Sequence, residues 1–150
     1  MSRARANQAS ANQARANQAR ARFAEDLVAA WYVTEGYEVI ARNWRCPRGE
    51  LDIVAWRNNV LVVCEVKARR NADFGDPFEA ITPRKVLRLR RAAAAFVDSL
   101  RLVHVASAST SKGGHEERAS RVVSARQIKE IRFDAASVTG ARVEVRSGVL

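Results

Sequence analysis

Residues 51–68 read Leu-Asp-Ile-Val-Ala-Trp-Arg-Asn-Asn-Val-Leu-Val-Val-Cys-Glu-Val-Lys-Ala. Two β-branched runs, Leu51 to Trp56 and Val60 to Ala68, flank Arg57-Asn58-Asn59, and that spacing predicts a tight hairpin. Strand alternation then sets Leu61, Val63, Glu65 and Lys67 on one face and Val62, Cys64, Val66 and Ala68 on the other. Glu65 and Lys67 emerge at the end of an apolar strand, where charge is costly unless it is paired or ligates a metal. With the turn centred near Asn58, Asp52 comes close to cross-strand pairing distance from Glu65. Two carboxylates that close repel. A divalent cation relieves the repulsion, and two carboxylates, a strand carbonyl and waters suit magnesium. Phosphodiester hydrolysis uses such a cation to polarise the phosphoryl oxygen and to lower the pKa of the attacking water. It also uses a positive group, a role Lys67 fits. An isolated Glu-x-Lys is equally the signature of a surface ion pair, so the tripeptide alone decides nothing.

On the N-terminal side, Phe23, Leu27, Ala30, Trp31 and Tyr32 recur at helical spacing up to Gly36, which predicts a first helix over 22–35 with Gly36 as its C-cap. Tyr37, Val39 and Ile40 suggest a short strand, and Arg42 to Gly49 a polar turn around Cys46-Pro47. On the C-terminal side, 69–82 reads as a loop containing Gly75 and Pro77. Thr82 then caps a second helix that starts at Pro83 and runs to about Ser99. Ala106 to Ser120 reads as an exposed loop. Ile131 to Val138 and Ala141 to Val145, around Thr139-Gly140, predict a second hairpin able to extend the same sheet.

Residues 1–21 stand apart. Ala-Asn-Gln-Ala recurs at 6, 11 and 16, a five-residue period matching neither helix nor strand. With no large apolar side chain before Phe23, this reads as a low-complexity basic tail that frays or stays disordered. The remainder, 22–150, is expected to be one domain.

The formal charge of +10 sits mainly in the flanks. Residues 1–22 hold five Arg and no acid, 23–100 hold twelve basic and eleven acidic groups, and 101–150 nine and five. A nearly neutral middle with basic flanks suits a carboxylate site inside a phosphate-binding surface, although an ordinary mixed surface looks the same in bulk. No apolar run has membrane-spanning length and no apolar leader is evident, so a cytoplasmic location is expected. Cys46 and Cys64 form no CxxC pair and are expected to be reduced thiols. His104 and His115 fall in or beside the expected loop with no nucleophile pattern near them. Trp31, Trp44 and Trp56 read as core or wall residues, Trp44 being the best placed for base stacking.

Read in order, several segments carry a resemblance: Ala24-Glu25-Asp26, Arg42-Asn43-Trp44-Arg45, Gly49-Glu50-Leu51-Asp52-Ile53-Val54, Cys64-Glu65-Val66-Lys67-Ala68-Arg69, Phe74-Gly75-Asp76-Pro77, Lys85 and Arg132-Phe133-Asp134. Together they resemble the YraN-like uncharacterised bacterial family, which is placed in the PD-(D/E)xK nuclease superfamily. The resemblance is continuous from about Phe23 to Ser99 and resumes over Ile131 to Val138. It implies an α/β fold with a restriction-endonuclease-like three-layer core, a mixed β-sheet flanked by helices.

Carried over by position, the resemblance implies Asp52 and Glu65 as magnesium ligands, Val66 as a carbonyl ligand, Lys67 as the catalytic lysine and Glu25 as the auxiliary acid, with manganese as a substitute ion. Glu50 is assigned a turn, a substrate contact or a salt bridge. Arg69, Lys85 and Arg88 are candidates for holding nucleic-acid phosphates, with solvated-face charge as the competing reading. Ala24 stands where relatives usually have glycine, a mild change in a helix. The relatives also lack the repeated tail and the Ser-rich segment. The implied activity is metal-dependent endonucleolytic hydrolysis of DNA, branched or damaged structures included. A nucleic-acid-binding or adaptor protein with little or no catalysis is the alternative, and a purely structural α/β domain a third reading. Nucleases that cut both strands often pair, so a homodimer is the assembly to test.

Overall fold

A computed structural model describes residues 3–70, 78, 81–108 and 123–150. In chain order its elements are α1 (Arg3–Thr34), β1 (Glu38–Cys46), β2 (Gly49–Arg57), β3 (Val60–Arg69), α2 (Pro83–Ala108), a 3-10 turn at Ala125–Gln127, β4 (Glu130–Thr139) and β5 (Arg142–Arg146). The hairpin over 51–68 forms as expected. Asn58 and Asn59 adopt φ of 49° and 66°, the two left-handed residues of a type I′ turn, and Arg57 faces Val60 across it.

The five strands form one sheet in the order β1-β2-β3-β4-β5, with β3 and β4 parallel and the other neighbours antiparallel. A parallel pair requires a crossover, and α2 lies on that connection. β3 is central and apolar on both faces because both are covered. On one face Val62 and Cys64 join Ile53, Ala55, Ala136 and Val138 beneath Ala24, Val28 and Tyr32 of α1. On the other, Leu61 and Val63 join Leu51 and Val54 beneath Leu89, Ala92, Ala93 and Phe96 of α2. The chain thus forms a three-layer α/β core, a mixed sheet between two helices. The second hairpin also forms, with Thr139 opposite Arg142.

Three boundaries differ from the sequence reading. β1 continues to Cys46, so Arg42–Cys46 is strand rather than polar turn. As an edge strand, β1 is nowhere fully buried: half-buried Trp44 and Cys46 pack toward α2, while Arg42, Asn43 and Arg45 stay exposed. Second, α1 begins at Arg3, so the described part of the expected disordered tail is helical. It remains exposed, as a segment with no face to bury must. Alanine's helix propensity sustains it, with i,i+4 bonds from Gln8 to Asn12 (3.2 Å) and from Gln13 to Asn17 (2.9 Å). Third, α2 runs past Ser99 to Ala108 and takes in the first residues of the expected 106–120 loop. The rest of that loop, His115 and the Phe74-Gly75-Asp76-Pro77 segment lie outside the described residues.

The helix ends are built as their sequences require. Gly36, at φ 81°, closes α1 in a Schellman motif: its N–H donates to Val33 O at 3.0 Å, and the Tyr37 N–H donates to Tyr32 O at 2.9 Å. Thr82 Oγ1 accepts the Lys85 N–H at the start of α2, ahead of Pro83. Within the α1-side core, Asp134 is fully buried and accepts from Tyr32 Oη (2.8 Å), Arg132 Nε (2.9 Å) and Nη2 (2.8 Å), and the Gly148 N–H (2.9 Å). Among the described residues no helix is long and apolar enough to cross a membrane.

Candidate metal centre

The site lies where the pairing of β2 with β3 ends. The β2–β3 ladder runs from Arg57↔Val60 to Ile53↔Cys64 and goes no further, although β2 extends back to Gly49 against β1. Leu51 and Ile53, two apart, would share a face in a regular strand. Instead Leu51 packs toward α2 and Ile53 toward α1, so β2 rolls about its axis at Asp52. Opposite the roll, between the pairs Arg42↔Ile53 and Trp44↔Leu51, Asn43 takes φ 50°. The Asp52 carboxylate fills the place of the missing ladder bond, its Oδ2 accepting the Val66 N–H at 2.8 Å.

Glu65 occupies the α2-side face of β3, as alternation requires, and is only 5% exposed. Its Oε1 accepts from Lys67 Nζ at 2.9 Å and from Lys85 Nζ in the first turn of α2. α2 comes over this end of the sheet at Gly49, whose φ of 154° suits glycine and where a Cβ would stand 3.5 Å from both Ala92 Cβ and Arg88 O. Glu25 arrives from α1, buried, with Oε2 accepting from Asn43 Nδ2 at 2.6 Å. The left-handed Asn43 therefore both faces the roll of β2 and anchors the helix-one glutamate.

Burial and, next, the charge of Glu65 push the Asp52 carboxyl up to about 7, with Glu25 adding to the rise. The Val66 N–H and Lys85 offset part of it. Burial opposes the charge of Lys67, but its hydrogen bond to Glu65 and the field of Glu65 and Asp52 outweigh burial and hold its pKa above the usual lysine value. Lys67 therefore stays a cation at neutral pH. Three carboxylates share one electrostatic field, although among the described residues no three His, Cys, Asp or Glu side chains form a ready-made metal cage. Magnesium, which keeps several waters and commonly takes one or two carboxylates, needs no such cage.

Asp52 and Glu65 open onto a cavity of about 680 Å³ whose opposite wall is Thr82, Arg84, Lys85 and Arg88 of the α2 start. Carboxylates on one side and cations on the other suit a phosphodiester. Of the expected phosphate contacts, Arg88 lines this cavity, Lys85 is engaged with Glu65, and Arg69 lies at the tip of β3 lining a different cleft. Glu50 lines the cavity and forms a salt bridge to Arg45 at 3.1 Å, one of the roles open to it from sequence. Trp44 packs edge-on against Phe96 and serves the core. Sequence reasoning gave Asn43 and Arg84 no role. Asparagine's tolerance of left-handed backbone was the available signal for the first, and position on the first turn of α2 the signal for the second. Cys46 and Cys64 are free thiols on opposite sides of the sheet.

This geometry sits within a stretch shared with other bacterial proteins. A protein of Acidothermus cellulolyticus is 48% identical over 100 residues, covering 67% of this chain and 74% of its own length. One of Pseudarthrobacter chlorophenolicus is 48% identical over 75 residues, covering 50% and 57%. One of Beutenbergia cavernae is 51% identical over 72 residues, covering 48% and 61%. The match thus spans about three fifths of the latter two relatives. All three are described as UPF0102 proteins. The description of that family, an uncharacterised protein family, matches residues 24–138, from the residue before Glu25 to the end of the β4 core, and agrees with the resemblance read from the motifs. The chain belongs to the uncharacterised protein family UPF0102.

Proposed function

We propose that this protein is a magnesium-dependent endonuclease-like hydrolase acting on DNA phosphodiesters, branched or damaged DNA included. The observation that carries the reading is the pairing of buried Glu65 with Asp52, whose carboxyl is pushed up to about 7, at the mouth of a cavity walled by Arg84, Lys85 and Arg88. Repulsion held in place by the fold and facing a basic wall is useful if a divalent cation and a phosphate bind between them. Asp52 and Glu65 are the carboxylates that would hold magnesium, with the Val66 carbonyl and Glu25 as further candidates and manganese as a substitute. When bound, the ion supplies a polarised phosphoryl oxygen and a water of lowered pKa.

The chain's own groups do the remaining work. Lys67, kept cationic beside Glu65, offers positive charge where the phosphorane charge develops. Arg84 and Arg88 clamp the backbone phosphate and fix its approach. Asn43 holds Glu25 at the inner edge of the site. Oriented this way, a phosphodiester lies between the sheet and α2.

A second reading is favoured by Lys85. Its ammonium already neutralises Glu65, as expected of a nucleic-acid-binding or adaptor protein that keeps the fold without cutting. Cleavage of linear, nicked and branched DNA with magnesium or manganese, using wild type, Glu65→Ala and Lys67→Ala, separates the readings. Hydrolysis by wild type that is lost in both variants supports the nuclease. Hydrolysis that survives both rules out the residue assignment, and binding without hydrolysis by wild type selects the adaptor.

A further inference from the structure

A second charged cleft lies at the tip of β3, on the α1 side of the sheet. Its volume is about 330 Å³; Ala24, Ala68 and Gly140 form an apolar floor, and Arg20, Arg69 and Arg70 stand around it. Arg20 and Arg70 come from elements fifty residues apart, yet both guanidiniums donate to one acceptor, Asn17 Oδ1, at 3.3 and 3.4 Å. That single amide oxygen holds two like charges together, and among the described residues neither pairs with a carboxylate. Arg20 is half-buried where the helix residues just before it are exposed, which fixes it to the domain. Beside it Phe23 leaves 52% of its surface exposed at the cleft edge, although α1 buries Ala24 directly after it. The remaining α1 extension adds further arginines and no acid before Glu25.

Convergent guanidiniums around an apolar floor, with an aromatic face at the rim, match one nucleotide unit: the phosphate on the arginines and the base against the ring. A base can reach Phe23 only when it is unpaired. We infer that this cleft binds an unpaired nucleic-acid strand, gripping it on the face of the sheet opposite the carboxylate cavity. Arg69 lies two residues beyond Lys67 on β3, about 7 Å along the strand. The cleft therefore leads a strand around the sheet tip toward Glu65 and Asp52, and selects substrates having a single-stranded arm beside the phosphodiester to be cut. This inference rests on nucleic acid being the ligand of the protein, as proposed above, and is independent of hydrolysis.

The test measures binding of a short labelled oligothymidylate to the full chain in EDTA, where nothing is cut, beside the magnesium cleavage assay. Arg20→Ala with Arg70→Ala should weaken binding and reduce the salt dependence by about 0.7 per phosphate contact removed. Phe23→Ala should weaken it about tenfold, while Phe23→Trp restores it. Circular dichroism confirms that each variant is folded, and the Trp variant keeps the aromatic test valid where the Ala variant loses stability. Equal binding by wild type and the arginine double variant overturns the cleft and leaves the nuclease reading intact. Binding of blunt duplex as tightly as the unpaired strand also overturns it. Cleavage of DNA by a wild type that does not bind the oligonucleotide overturns the cleft alone, whereas neither binding nor cleavage overturns both.

Discussion

Asp52 Oδ2 accepts the Val66 N–H at 2.8 Å, one residue beyond the point where the ladder between β2 and β3 ends. The bond holds the strands together while aiming a carboxylate at Glu65, so it has opposite effects on stability through its acceptor and its charge. The folded-state pKa of Asp52 lies above its value of 3.8 in the unfolded chain. The folded state therefore binds the extra proton, and this group's contribution to stability falls as pH rises from about 4 through about 7. Asp52→Asn, which can keep the acceptor and loses the charge, should raise Tm by a few degrees at pH 8 in EDTA and little at pH 4. Asp52→Ala, which loses the acceptor too, should unfold earlier at pH 4 by about 1–3 kcal/mol. Thermal scans at the two pH values check both.

Lys85 sits on Glu65 Oε1, an oxygen of the carboxylate proposed to hold the metal. Replacing it with methionine removes a competing cation, and binding of magnesium or manganese in the absence of nucleic acid should tighten about tenfold. Titration calorimetry reads this directly. Unchanged affinity would mean that Glu65 is not a ligand.

Asn43 carries two separable duties, a left-handed backbone and a hydrogen bond to Glu25. Asn43→Gly keeps the first and loses the second, so it should cost about 1–2 kcal/mol from the unpaired buried carboxylate. Asn43→Ala adds backbone strain of about 1 kcal/mol more. Denaturant midpoints for the two variants should fall in that order.

Asp134 is fully buried and shared among Tyr32, Arg132 and the Gly148 N–H. Asp134→Ala strands the Arg132 charge and should destabilise the fold by about 3–5 kcal/mol, against about 1 kcal/mol for Tyr32→Phe. Urea unfolding of both checks the ranking.

The hairpin is legible because period-2 burial and a two-asparagine turn are local properties, and they set Glu65 and Lys67 on one face of β3; that α2 covers that face depends on tertiary packing. The roll at Asp52 was not readable. It depends on Asn43 adopting φ 50° in a strand whose polar run, Arg42–Cys46, resembles a turn when its edge position is unknown. The meeting of Lys85 with Glu65 depends on how α2 crosses the sheet, which no local pattern shows. The N-terminal arm is a related case. A sequence with no face to bury can still be helical through alanine and i,i+4 amide pairs, and only its docking at Arg20 gives it a place on the domain.

In the proposed site Asp52 and Glu65 together hold one divalent cation. Anomalous scattering from a crystal soaked with manganese locates that ion. One ion is expected, with a carboxylate oxygen of each residue at about 2.1 Å and Lys85 displaced from Glu65. Manganese bound elsewhere, with the Lys85–Glu65 pair intact at saturating ion, would mean that these two carboxylates are not a metal site.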